Sequence, residues 1–406
     1  MLERLERLPT DPILGLMGMY RADTDPRKVD LGVGVYRNDL GETPILSCVR
    51  HAEQRVLGRQ STKSYVAPIG NAGFNLAMAK LVLGEGHPVL AADRVRSIQA
   101  PGGCGALRLG AELFRATQPD TVVHVSTPTW ANHIPLLSGC GLKLERYPYY
   151  DATTGGVKFD EMLGTLDRLP ARSTVLLHAS CHNPTGADLS EAQWRELLGV
   201  FKRRSLVPFI DIAYQGLGRG IAEDAFGIRL FCAELPEVAV AVSCSKNFGL
   251  YRERTGCLHV ISESPAVGDA ILSHLVRIAR SIYSMPPDHG AAIVNEILAD
   301  STFREQWTDE LGAMRKRIGG LRHELVKQLA KAYPERDFGF IARQQGMFSF
   351  LGVTTPQVHA LREQHHVYMT DDSRINVAGL RAETLEYFAK AVAQVLRAGS
   401  APSSAP

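Results

Sequence analysis

A lysine set among small polar residues at the end of an apolar run is the strongest chemical signal in this chain. Ser243-Cys244-Ser245-Lys246-Asn247-Phe248-Gly249-Leu250-Tyr251-Arg252-Glu253-Arg254 follows Val238-Ala239-Val240-Ala241-Val242. The run reads as a buried strand that delivers Lys246 at its end. A lysine there is a poor core residue, because its ammonium is costly to desolvate. The same desolvation lowers its pKa and makes the free amine a nucleophile able to form a Schiff base with a carbonyl. Ser243 and Arg254 supply a hydroxyl and a guanidinium fork suited to a phosphate dianion. Ser245, between Ser243 and Lys246, belongs with them as a candidate cofactor contact.

Other apolar runs end on equally distinctive residues. Thr121–Ser126 leads to Pro128-Thr129-Trp130-Ala131-Asn132-His133, an aromatic plate and an imidazole. Thr174–His178 leads to Cys181-His182-Asn183-Pro184-Thr185-Gly186. Val207–Ala213 carries Asp211 and is followed by Tyr214, a carboxylate and a phenol three residues apart. Gly256–Ile261 is a further run of this kind. Arg96–Gly110 reads as strand, glycine turn (Gly102-Gly103-Cys104) and helix, and such turns present free N–H groups to phosphate. A dinucleotide fingerprint would need a third glycine where Arg108 stands, so the turn fits a single phosphate better than a pyrophosphate.

Together these residues meet the demands of pyridoxal 5'-phosphate. Lys246 would hold the aldehyde, and Asp211 would keep the pyridine nitrogen protonated so that the ring draws electrons. Tyr214 and Asn183 would donate to the ring 3'-oxygen, and Trp130 would stack on its face. Ser243, Arg254 and Gly102–Cys104 would hold the phosphate. An amino-acid substrate needs a bidentate clamp for its α-carboxylate, and Arg374, in Ser373-Arg374-Ile375-Asn376, is the candidate. Gly34, in Leu31-Gly32-Val33-Gly34-Val35-Tyr36, admits two readings, a ligand contact or a twisted strand needing small residues. Phe348 is placed with the substrate contacts. Tyr65, beside Ser64, offers a hydroxyl to an anion, although a lone tyrosine is more often a surface residue.

The elements that must position these groups follow from periodicity. Near-continuous apolar runs are those of strands covered on both faces of a parallel sheet. Between them, Leu189, Trp194, Leu197, Leu198 and Phe201 have helical spacing. The alternation predicts a doubly wound α/β domain with its ligand at the carboxyl ends of the strands. From Phe303, Trp307, Leu311, Met314, Ile318, Leu321, Leu325 and Leu329 predict one long amphipathic helix leading to a smaller domain. There Phe338–Ala342 and Met347–Leu351 read as strands and Thr384–Leu396 as a closing helix.

The 406 residues favour two domains, with 45% apolar and 22% charged residues, as in ordinary globular proteins. A net charge of +2 gives no basic excess for nucleic acid, and no run suits a membrane span. Seven scattered cysteines form neither a disulfide framework nor a metal spacing, which points to a reducing cytoplasm and no metal.

The segments 181–186, 211–216, 243–251 and 374–379 resemble those of class I aminotransferases, in particular the aspartate and aromatic amino-acid group. The likeness runs from Asp11-Pro12 to about Leu396. It implies a type I pyridoxal phosphate fold; the domain reading is a small domain at 12–44 and 312–397 and a large domain at 45–311, with residues 1–11 read as an arm and the small, Pro/Ser-rich 398–406 as a disordered tail. It also implies a cis bond before Pro184, and a homodimer with shared active sites acting on an amino acid and a 2-oxo acid. In that pattern His133 supports Asp211, and Asn183 also meets the substrate carboxylate. Tyr65 reaches the phosphate from the other subunit, and Arg280 reaches a distal carboxylate across the dimer.

Departures from the family pattern bear on substrate. Cys104 stands where Thr or Ser is usual, Ile282 where Asn is usual, and Met285 where Asn or Ser is usual. Arg37 and Ser64 also differ from the aspartate-specific pattern. The pocket rim is therefore less polar, and the expectation is transfer of an amino group between an aromatic amino acid or aspartate and 2-oxoglutarate. An aspartate-preferring enzyme and a specialised biosynthetic transaminase remain the alternatives. A β-lyase or decarboxylase would use the same lysine. A regulator without turnover would need an added DNA-binding module, for which the arm before Asp11 leaves no room, and the missing third glycine argues against a dinucleotide oxidoreductase.

Overall fold

The computed structural model describes residues 2–8 and 12–400. The chain divides into two compact units, one of residues 44–317 with 344–346, the other of residues 1–43, 318–343 and 347–406. The unit boundaries fall at 43/44 and 317/318, where the sequence reading put them at 44/45 and 311/312, and residues 344–346 return to the larger unit. Of the expected arm, Leu2–Arg4 form a 3-10 turn, while residues 1 and 9–11 lie outside the described residues. Of the expected tail, residues 398–400 belong to the last helix, Ala382–Ser400, and residues 401–406 lie outside the described residues.

The larger unit is built on seven strands: β1 (Val95–Pro101), β2 (Val122–Thr127), β3 (Lys143–Pro148), β4 (Thr174–His178), β5 (Val207–Ile212), β6 (Val238–Ser243) and β7 (Thr255–Ile261). Their spatial order is β1-β7-β6-β5-β4-β2-β3. Neighbours from β6 through β5, β4 and β2 to β3 are parallel. β7 is antiparallel to both β6 and β1. The sequence reading had grouped Gly256–Ile261 with the parallel runs. An apolar strand covered on both faces has the same pattern in either direction, so the reversal is invisible in composition. β3 was not foreseen: as an edge strand it leaves Lys143, Glu145 and Arg146 exposed, and its pattern is charged rather than apolar.

Helix α1 (Gly102–Thr117) begins directly at the end of β1, with no separate turn. Its buried face, Ala106, Leu107, Leu109 and Leu113, joins Val123, Val125, Leu176, Phe209 and Leu258 from the sheet in one core. The helix Glu191–Arg204 is closed at its start by a capping box between Ser190 and Gln193, which satisfies two otherwise free backbone donors.

Helix α2 (Ser301–Ala332) is helical through Gly319 and Gly320 and spans about 48 Å at 1.5 Å per residue. Its last part, with Leu321, Leu325 and Leu329, enters the core of the smaller unit beside Phe338, Ile341 and Phe388. In that unit Phe348–Phe350 pairs antiparallel with Arg374–Asn376. Two strand expectations are corrected here. Phe340–Arg343, which overlaps the expected strand Phe338–Ala342, is a helical turn. The segment 31–36 forms no ladder; only Val29–Asp30 pairs, with Val367–Tyr368. The carbonyls of Val33 and Val35 instead accept the Asn376 side-chain amide, each at 2.7 Å.

Candidate active site

Parallel strands bring their carboxyl ends to one edge of the sheet, and the side chains singled out above converge there. Lys246, Asp211, Asn183 and Tyr214 line one pocket with Trp130 and Cys104. Gly103, Ser243, Ser245 and Arg254 complete its phosphate-like side. The reversal of β7 accounts for Arg254. Because β7 is antiparallel, its first residues lie at the edge where the other strands end. Thr255 stands opposite Pro101 and Gly256 opposite Ser243, so Arg254 meets the start of α1.

This corner is a cradle for an anion. Gly102 has φ +69°, and a Cβ there would lie 2.5 Å from Arg254 Nη2, so only glycine leaves the guanidinium its place. Arg254 Nη1 donates to the Tyr251 carbonyl at 3.0 Å and to Ser245 Oγ at 3.4 Å. Cys104, where a hydroxyl is the family norm, accepts from Asn132 Nδ2 at 3.6 Å.

At the other side, Asp211 is a buried carboxylate. His133 Nε2 lies 3.3 Å from its Oδ2 and is itself fully buried. Thr129 Oγ1 sits 2.8 Å from His133 Nδ1 and 3.1 Å from His178 Nε2. Burial alone would push the Asp211 carboxyl up; the His133 hydrogen bond and the neighbouring Lys246 outweigh it and hold Asp211 below its ordinary value. Burial draws the Lys246 ammonium below the usual lysine value, with Arg254 adding to the shift and Asp211 opposing it. Lys246 Nζ lies 5.4 Å from the centre of the Tyr214 ring. Asn183 Nδ2 donates to the Tyr214 hydroxyl at 3.3 Å, so the two expected donors are coupled. Trp130 meets the His133 ring edge-on, with centroids 5.2 Å apart.

His178 and Ser180 also line the pocket but were not singled out in the sequence. His178 was visible only as the polar end of an apolar run. Tyr65 is 92% exposed, and Arg280 is exposed and hydrogen-bonded to Ser284 Oγ. Neither lines this pocket within the single chain. Ile282 is 45% exposed, and Met285 Sδ accepts the Val66 N–H at 3.3 Å.

The remaining expected residues form a second cluster within the smaller unit. The Arg374 guanidinium lies over the Phe348 ring at 4.6 Å, and its Nη2 donates to the Gly32 carbonyl at 2.7 Å. A Cβ on Gly34 would fall 2.9 Å from Phe348 Cζ. This close approach explains the small residue by packing against Phe348.

A part-buried lysine of lowered basicity, an ionised carboxylate and a glycine-arginine cradle suit an aldehyde, a pyridinium nitrogen and a phosphate, so the residues fit pyridoxal phosphate. Fold and pocket define a pyridoxal-phosphate-dependent transferase of the type I fold. Residues 26–392 match the family model for aminotransferase class I and II, and the chain belongs to that family. It is 46% identical to an aromatic-amino-acid aminotransferase of Pseudomonas aeruginosa over 97% of this chain and 98% of that one. It is 44% identical to an aspartate aminotransferase of the same organism, with the same coverage. A crystal structure of an aromatic-amino-acid aminotransferase from Burkholderia pseudomallei, covalently bound to pyridoxal phosphate, superposes with a TM-score of 0.95 at 46% identity, covering 98% of this chain and 99% of that one.

The cradle makes a direct prediction. Arg254→Ala should weaken retention of pyridoxal phosphate about a hundredfold, since truncating a desolvated charge partner typically costs that much. Saturating cofactor should restore most of the turnover. Cofactor affinity is read by titrating the apoenzyme, and an unchanged affinity would remove Arg254 from phosphate binding.

Proposed function

We propose that this aminotransferase moves an amino group between an aromatic amino acid, or aspartate, and 2-oxoglutarate, as a homodimer in a reducing cytoplasm. The observation that carries the chemistry is the pairing of part-buried Lys246 with ionised Asp211 in one pocket. When bound, pyridoxal phosphate supplies an aldehyde that takes up the amino group and a ring that withdraws electrons from the substrate Cα.

Every other task falls to this chain's side chains. Lys246 would hold the cofactor aldehyde, and its Nζ, once free, would serve as the base for the substrate Cα proton. Its depressed basicity keeps a fraction of the amine uncharged for that transfer. Asp211, backed by His133, stays anionic and holds a proton on the ring nitrogen. Tyr214 and Asn183 would donate to the ring 3'-oxygen, and Trp130 would stack on the ring. Gly102, Gly103, Cys104, Ser243, Ser245 and Arg254 bind the phosphate. Asn183 and Arg374 bind the α-carboxylate, with Gly34 and Phe348 nearby on Arg374's own unit. Exposed Tyr65 and Arg280 act on the partner subunit's phosphate and substrate. Their exposure in a single chain supports this assignment.

The aromatic leaning rests on the apolar Ile282 and Met285 and on the aromatic-amino-acid relatives. The aspartate reading draws on Arg280 and the 44% identical aspartate aminotransferase. A steady-state comparison with 2-oxoglutarate as acceptor decides between them. Phenylalanine should equal or exceed aspartate in kcat/KM; aspartate preferred by about a hundredfold or more would reject the aromatic assignment.

A further inference from the structure

Asn183 sits on a loop that begins at the end of β4, and one carboxylate outside the pocket closes that loop. Asp188 Oδ2 accepts the Cys181 N–H at 2.7 Å, and its Oδ1 accepts the His182 N–H at 2.9 Å. Both amides immediately precede Asn183. Cys181 is held at φ +52°, a left-handed conformation that a non-glycine residue adopts only under restraint. The return side of the loop is fixed as well: Gly186 N–H donates to the His182 carbonyl at 2.7 Å, and Tyr149 OH to the Ala187 carbonyl at 2.8 Å.

A second carboxylate does the same for the loop after Tyr214. Asp224 accepts the N–H groups of Gly216 at 2.8 Å, Gly218 at 2.9 Å and Arg219 at 2.8 Å. The loops abut, since a Cβ on Gly218 would lie 3.0 Å from Cys181 Sγ. The Asn183–Tyr214 hydrogen bond is thus made between two loops, each tied by its own buried or part-buried carboxylate.

We propose that Asp188 is a positioning residue for Asn183, and that its ionised form sets the amide of Asn183 for the substrate carboxylate and the ring 3'-oxygen. This rests on the role given to Asn183 above. A carboxylate offers two strong acceptors to two successive amides, and protonation turns one oxygen into a donor. The groups facing Asp188 are Asp224 and Arg219 from the second loop and Tyr149 from the segment after β3. Burial pushes the Asp188 carboxyl up to about 6, against its amide bonds; Asp224 adds to the rise and Arg219 opposes it. The positioning form is therefore present above about pH 6 and is lost as pH falls through that value.

The test uses the cofactor-loaded enzyme and compares the parent, Asp188→Asn, Asn183→Ala and the double variant. In the parent, KM for the amino donor should rise about tenfold between about pH 7 and pH 5, the scale of one lost hydrogen bond to a charged group. In Asp188→Asn it should already be about tenfold higher at about pH 8 and flat across that range. The visible absorbance of the loaded enzyme, titrated without substrate, should shift its midpoint in the same direction as in Asn183→Ala. Adding Asp188→Asn to Asn183→Ala should change KM less than about twofold, because the positioned group is gone. Losses that multiply, or a lower melting temperature with KM and absorbance unchanged, would reduce Asp188 to a fold residue and overturn the proposal. A parent KM flat over the range would overturn it even if Asp188→Asn failed to fold. If Asn183→Ala alone leaves KM and absorbance unchanged, the role of Asn183 falls first and this proposal with it.

Discussion

Lys246→Ala is expected to lower kcat by about 10⁴-fold, because it removes both the group that holds the cofactor and the base that moves the Cα proton. The magnitude follows from the position. Lys246 is delivered at the end of β6 into a pocket where burial lowers its basicity, and the other amines and imidazoles are committed elsewhere. His178 is drawn down to about 3 by burial, and His133 is bonded to Asp211 and Thr129. Among the described residues, Lys246 is the one lysine that lines that pocket. Single-turnover kinetics with an amino donor isolate the step, and small primary amines added to the buffer should restore part of the rate. Turnover within tenfold of the parent, with no added amine, would remove Lys246 from the chemistry.

Asp211→Asn should lower kcat by about 10³-fold, the scale of losing one preorganised charge in a desolvated site. The folding of the loaded enzyme should survive, since asparagine is isosteric. The pH dependence has a definite sign. Asp211 is held below its ordinary value, so its carboxylate is charged throughout neutral pH; its contribution to stability is present above the ordinary carboxylate range and lost only as pH falls through its own lower value. The deficit of Asp211→Asn should therefore be constant from about pH 6 to pH 9, and Asp211→Glu should recover part of it. A deficit that vanished toward either end of that range would show that another group carries the charge. Pre-steady-state rates across the range provide the measurement.

The parts legible in the sequence were those that a parallel strand places without help. Trp130, Asn183, Asp211, Tyr214 and Lys246 each stand at or just beyond the end of an apolar run, so one rule about strand ends gathered them. Arg254 was found by its chemistry, yet its location depends on the reversed direction of β7, which composition does not record. The charged pattern of β3 hid an edge strand. The apolar stretch at 338–342 was too short to distinguish a helical turn from a strand. The segment 31–36 looked like a strand because its residues are apolar and small, but a side chain 340 residues away, Asn376, takes the carbonyls that a neighbouring strand would have used. Tyr65 and Arg280 came from family likeness alone, because a lone exposed tyrosine or arginine carries no local signal. Asp188 was not singled out in the sequence, and its two backbone partners become visible only once the loop is folded.

The place of β7 also constrains the order in which this enzyme can be completed. β1 has a single strand neighbour, β7, and that neighbour is made much later in synthesis. A nascent chain that has not yet reached Thr255 carries its lysine and its carboxylate, but the first strand still lacks its strand partner. The corner formed by Gly102 and Arg254 is thereby completed only when nearly two-thirds of the polypeptide exists.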